Sequence, residues 1–266
     1  MRLYRARPGD GPAWVTGASS GVGRAVALDL ARRGYVVAAS ARSADMLAEL
    51  VSEAEGLSGR IVSMPCDVTD EAAAAATLAR IESELGPVSL AFLNAGRFLP
   101  ARGERLDIEN FRLTYELNLF GVINCLAPIA ARMKARQRGH IVIMGSASAY
   151  GGVPLASAYG STKAALNNIA ESLKFDFDRL NIRIQIINPA FIDTPLTEPG
   201  RSRLPALMPA GQAARRIVDG IEKGGFEVTM PRRLIWPLKL VNLLPYRLYF
   251  YLIGRATGMN KRRRKP

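Results

Sequence analysis

Apolar and polar positions follow two alternating periods along most of this chain. Six short runs are apolar on both faces, or nearly so: Ala13–Val15, Tyr35–Ser40, Arg60–Met64, Val88–Leu93, Ile141–Met144 and Ile182–Ile187. Runs of that length and character predict strands of a buried parallel sheet. Between them lie segments with the helical period: Val22–Arg33, Ala44–Glu55, an alanine-rich Glu71–Leu85, Ile108–Arg136 and Tyr159–Leu180. Gly34 closes the first of these, and Pro128 predicts a kink in the fourth. Strand and helix alternate throughout, so the expected fold class is α/β: a doubly wound parallel sheet (a Rossmann fold) in a single domain. That domain is expected to span 1–230. Residues 231–266 are set apart as an apolar, basic C-terminal extension.

Composition narrows the chemistry. The 266 residues contain one histidine, His140, and two widely separated cysteines, Cys66 and Cys125. No metal site, histidine triad or redox cysteine pair fits that inventory. Reduced, buried thiols suit a cytoplasmic protein. Arg2, Arg5 and Arg7 are followed by no apolar core of a signal peptide. The net charge of +13 is unevenly placed: 231–266 holds ten Lys/Arg and no Asp/Glu. The first 230 residues set the other 26 cations against all 23 acids and carry only +3.

Three stretches carry candidate chemistry. Thr16-Gly17-Ala18-Ser19-Ser20-Gly21-Val22-Gly23 lies between the first strand and first helix. Glycines there let backbone approach a pyrophosphate, which the free N–H groups of the helix start then hold. The second strand runs into Ala41-Arg42-Ser43, with no acid to take a ribose hydroxyl. A cation and a hydroxyl at that point suit a 2′-phosphate, so the expected cofactor is NADP(H) in preference to NAD(H); the alternative is a solvated loop charge. Tyr159 and Lys163 stand four residues apart on one helix face. A cation so placed is expected to lower the phenol pKa and make Tyr159 an acid/base near neutral pH.

With these residues the chain resembles the short-chain dehydrogenase/reductase (SDR) family. The matching features are the Thr16–Gly23 loop, Cys66-Asp67-Val68, Asn94-Ala95-Gly96, Asn118, Ser146, Tyr159 with Lys163, and Asn188-Pro189. They follow the family order across residues 13–195. The resemblance implies that Asp67 and Val68 contact adenine, while Asn94, Ala95 and Gly96 line the cofactor cleft. It implies that Tyr159 is the acid/base, Lys163 lowers its pKa and binds the nicotinamide ribose, and Asn118 holds a water leading to solvent. Ser146, thirteen residues before the tyrosine, would bind the reacting carbonyl oxygen, with Ser148 as its competitor. Pro189, Ile192 and Thr194 complete the expected cofactor contacts. Two departures stand out: Leu93 replaces a usual Asn, and Ala190 replaces the Gly expected after Pro189.

The resulting expectation is an NADP(H)-dependent oxidoreductase interconverting a small-molecule carbonyl and an alcohol, assembled as a homodimer or homotetramer. A non-catalytic dinucleotide sensor or scaffold on the same fold is the alternative, and a long-chain 3-keto lipid reductase is a narrower version of the first. The segment Leu234–Ile253 is apolar and aromatic, but Pro237, Lys239, Asn242, Pro245 and Arg247 suit a membrane span poorly. With Lys261–Lys265 it reads as an anchor on an anionic membrane surface, which implies a hydrophobic substrate. A substrate lid and a subunit contact are the competing readings. No nucleic-acid partner is expected. The location follows as cytoplasmic, with a peripheral place on the inner face of the membrane open to the tail.

Overall fold

The computed structural model describes residues 3–197 and 205–259. Seven parallel strands form the main sheet, in the order β3-β2-β1-β4-β5-β6-β9. They are β1 (Ala13–Thr16), β2 (Val36–Ser40), β3 (Arg60–Ser63), β4 (Leu90–Leu93), β5 (Gly139–Met144), β6 (Ile182–Pro189) and β9 (Glu227–Met230). The helices are α1 (Gly21–Arg32), α2 (Ala44–Glu53), α3 (Glu71–Leu85), α4 (Ile108–Tyr115), α5 (Gly121–Ala135), α6 (Ser157–Arg179) and α7 (Ala210–Lys223). β7 (Ile192–Asp193) and β8 (Met208–Pro209) form a separate two-stranded parallel pair.

Both faces of the sheet are buried, which explains why its strands read as unbroken apolar runs. Ala13 and Val15 of β1 pack into the layer holding Leu30, Leu47 and Ile217, on α1, α2 and α7. Trp14, pointing the other way, packs with Leu78, Ile129 and Leu166, on α3, α5 and α6. Its indole N–H donates to Ser40 Oγ at 2.9 Å, so the largest core side chain leaves no buried donor unpaired.

Three features differ from the sequence expectation. The predicted helix Ile108–Arg136 is not one α-helix. A π-helical turn, Glu116–Phe120, separates α4 from α5, and α5 continues through Pro128. The sheet has a seventh strand beyond the six expected: Glu-Val-Thr-Met is a half-buried edge run with little apolar signal. The extension folds into α8 (Arg232–Val241) and α9 (Tyr246–Thr257). The basic run Lys261–Lys265 lies outside the described residues.

Candidate active site

All the chemistry sits at the C-terminal ends of the parallel strands, where a doubly wound sheet leaves a crevice. The cleft measures about 430 Å³ and draws its walls from the turns after β1, β2, β3, β4, β5 and β6. Gly17, Ser19, Ser20, Gly21 and Val22 line one end. Gly21 has φ +54°, and the α1 start receives no side-chain cap from Ser20. The first N–H groups of that helix are therefore open to an anion. Gly23 serves the same turn from behind: a Cβ there would lie 2.1 Å from Gly17 O. Arg42, Asp67, Val68, Asn94, Ala95 and Gly96 continue the wall. The residues thus fit a dinucleotide: a glycine cradle for its pyrophosphate at one end, and the catalytic side chains at the other.

Some expected cofactor residues work one layer back. Thr16 is buried, and its Oγ1 accepts from the N–H groups of Asn94 (2.9 Å) and Ala95 (3.2 Å). It ties the end of β1 to that of β4 and does not line the cleft. Gly23 is likewise outside the lining. Ser43 caps α2 by accepting from Met46 N at 3.3 Å, so of the expected 2′-phosphate pair only Arg42 faces the cleft. Pro189, Ile192 and Thr194 line the far wall, joined by Ala190 and Leu196.

Tyr159, Lys163 and Ser146 converge on the cleft floor. The Ser146 side chain lies close enough to the Tyr159 hydroxyl to influence its titration. Ser146 lines the cleft and Ser148 does not; the Ser148 N–H and hydroxyl both donate to Ser146 Oγ, at 3.2 and 3.0 Å. Lys163 is buried, with Nζ 5.6 Å from the Tyr159 ring centroid and donating to Met144 O at 2.7 Å. Burial lowers the ammonium pKa to about 8. Burial also raises the Tyr159 hydroxyl above its ordinary value, and the nearby Ser146 side chain opposes this without reversing it. The expected lowering of the phenol by Lys163 is therefore corrected: desolvation of the phenolate sets the direction of the shift, and Lys163 is not among its causes. At neutral pH Tyr159 holds its proton, the state required of a donor to a carbonyl oxygen.

Asn118 is buried in the π-helical turn, and its side chain is committed. Oδ1 accepts from Arg97 N and Nδ2 donates to Arg97 O, both at 2.8 Å. A water held for Lys163 would have to use its main chain. Its side chain clamps the loop after β4, which presents Arg97 to the cleft and Phe98 to Tyr159. The Phe98 and Tyr159 rings meet edge to face at 5.3 Å. Neither residue carried a sequence signal, because a loop has no period.

A second polar chain leads from the site to the extension. Ser146 N donates to Asn188 Oδ1 at 2.9 Å, and Asn188 Nδ2 donates to Glu227 Oε1 at 2.9 Å. Glu227 also accepts from Tyr150 OH and pairs with Lys239 on α8. These donors hold the Glu227 carboxyl below its ordinary pKa against the opposing effect of burial.

The short chain dehydrogenase family profile matches residues 12–204. The chain belongs to this family. An SDR oxidoreductase of this kind binds a nicotinamide dinucleotide, in keeping with the cleft. A relative named only as an oxidoreductase, from Myxococcus xanthus, is 33% identical over 237 residues, covering 89% of this chain and 94% of that one. A 3-oxoacyl-[acyl-carrier-protein] reductase of Thermotoga maritima is 31% identical over 195 residues, 73% of this chain and 79% of its own. Among solved structures, an SDR from Burkholderia phymatum in complex with NAD superposes with TM-score 0.78 at 20% identity, covering 100% of this chain and 99% of that one. At that identity the likeness concerns the fold.

Proposed function

We propose that this SDR transfers hydride between NADP(H) and the carbonyl carbon of a hydrophobic small molecule, with Tyr159 supplying the proton to the oxygen. The observation that carries the reading is the convergence of Tyr159, Ser146 and buried Lys163 in one cleft whose other end is a glycine cradle. Bound there, the cofactor would supply the hydride. The chain's own part is to hold the carbonyl oxygen between Ser146 and Tyr159 and to keep a proton on the phenol. NADP(H) preference rests on Arg42 in the cleft wall, with Ala41 where a carboxylate would discriminate against a 2′-phosphate. A long-chain 3-keto lipid is the narrower substrate class, favoured by the Thermotoga relative's printed activity and by the apolar extension. We extend the reading to a homodimer or homotetramer built on α4–α6, where Phe120 and Phe175 are exposed. We further propose a cytoplasmic location for the enzyme.

The test is NADPH oxidation against a panel of ketones. Tyr159→Phe is expected to lower kcat by ~10²–10⁴ while NADPH binding, followed by its fluorescence, stays nearly intact. Turnover retained by that variant sinks the assignment. Arg42→Glu is expected to move the preference toward NADH, and an unchanged NADPH/NADH ratio removes the cofactor reading alone.

A further inference from the structure

Helices α8 and α9 present an apolar face that the body leaves uncovered. Ile235 and Tyr249 are buried against the body, and Lys239 turns inward to Glu227. Trp236, Leu240 and Leu243, spaced i, i+4, i+7 on and just beyond α8, are exposed, as are Tyr246 and Phe250 on α9. Leu243 is 81% and Tyr246 79% exposed, and the Tyr246 and Phe250 rings stack at 5.8 Å. Large apolar side chains gathered and exposed in this way mark a surface that meets a partner.

Charge says which partner. The C-terminal segment 231–266, whose described part builds this face, carries ten Lys/Arg and no Asp/Glu in its sequence. Arg232, Arg233, Arg247 and Arg255 are exposed on its described part. A second copy meeting this face through a twofold axis would set these cations against themselves, a like-charge contact that costs energy. An anionic lipid surface takes all three features: acyl chains meet the leucines, the headgroup layer takes the aromatic rings, and lipid phosphates meet the cations. The helices are too short to span: α8 has 10 residues and α9 has 12, against the ~20 a bilayer needs.

The face is also fixed to the active site. Tyr249 OH donates to Gly152 O at 2.8 Å, in the loop between Ser146 and Tyr159. On α8, Lys239 reaches Ser146 through Glu227 and Asn188. A bilayer under α8–α9 would therefore lie beside the catalytic loop. We propose that this face docks on an anionic bilayer, and that the substrate is a carbonyl amphiphile drawn from it. The substrate half rests on the reductase reading; the docking half does not.

The experiment sediments the full chain with vesicles of phosphatidylcholine, alone or mixed with phosphatidylglycerol, and compares it with Trp236→Ser/Leu240→Ser/Phe250→Ser. These side chains are exposed, so an unchanged Tm and unchanged turnover of a soluble ketone are expected. The wild type should sediment with the mixed vesicles, and at least about tenfold less with neutral ones or as the triple variant. A wild type left in the supernatant overturns docking, as does equal partition of the two proteins. So does a wild-type oligomer that the variant dissolves, which would make the face a subunit contact. For the substrate half, a long-chain ketone presented in mixed vesicles should be reduced at least about tenfold faster by the wild type than by the variant. Equal rates overturn that half. Absence of NADPH oxidation with every ketone overturns it together with the reductase reading, while sedimentation still decides docking.

Discussion

His140 makes the stability of this fold sensitive to mild acid, by an amount the structure allows to be worked out. It lies fully buried near the start of β5, at the opposite end from the active site. Its Nε2 is 2.8 Å from Gln185 Oε1. The Gln185 amide is oriented by donating to Gly220 O and Gly225 O, so Oε1 must accept. The ring is therefore the Nε2–H tautomer, and Nδ1 has no partner among the described residues. Protonation would bury a charge and an unpaired donor together, and burial duly lowers the pKa to about 3. The unfolded chain titrates at about 6.5. Between those values the unfolded state holds the extra proton, so stability falls as pH drops below about 6.5 and the loss levels off near pH 3. At pH 5 the gap from the unfolded pKa is about 1.5 units, which at 1.36 kcal/mol per unit costs about 2 kcal/mol relative to pH 7.5. Guanidinium unfolding at the two pH values, on wild type and His140→Asn, measures this directly. The variant retains a donor for Gln185, and its packing cost cancels between the two conditions. Carboxylates held low in the fold, such as Glu227, also weaken in acid, but equally in both proteins. The wild type should lose about 2 kcal/mol more than the variant. Equal losses in the two proteins would refute the argument.

Two further perturbations address the site. Asn188→Ala strips the Ser146 N–H of its acceptor, which should cost ~1–3 kcal/mol in stability. It should also lower kcat by about tenfold with little change in cofactor binding. Asn188→Asp with Glu227→Gln exchanges donor and acceptor and should recover most of that kcat, whereas full kcat in Asn188→Ala would show that Ser146 is held by other means. Gly23→Ala sets a Cβ 2.1 Å from Gly17 O and 2.6 Å from Asn94 Nδ2. The glycine turn must then shift, at ~1–3 kcal/mol, with NADPH affinity falling at least tenfold; unaltered binding by fluorescence titration would contradict the packing.

Sequence alone determined whatever depends on neighbours along the chain. Strands apolar on both faces, such as Val36–Ser40, announce a sheet covered on both sides, because burial alone decides that pattern. Gly17, Gly21 and Gly23 mark the turn at the start of α1, and Tyr159 and Lys163 share a helix face at any tertiary packing. What required the tertiary structure are the terms set by distant residues. The protonation of Tyr159 follows from burial, which raises the phenol above its ordinary value. Asn118 clamps Arg97, twenty-one residues before it, and the π-helical turn that places it has no sequence period of its own. Glu227–Met230 has too little apolar character to declare itself a strand until β6 offers it a ladder. The extension read as one apolar, cationic stretch; only its packing on Gly152 and Glu227 sorted Ile235 and Tyr249 inward and Trp236 and Leu243 outward. Local periodicity fixes which elements form, and long-range contact fixes the charge, partner and exposure of each side chain they carry.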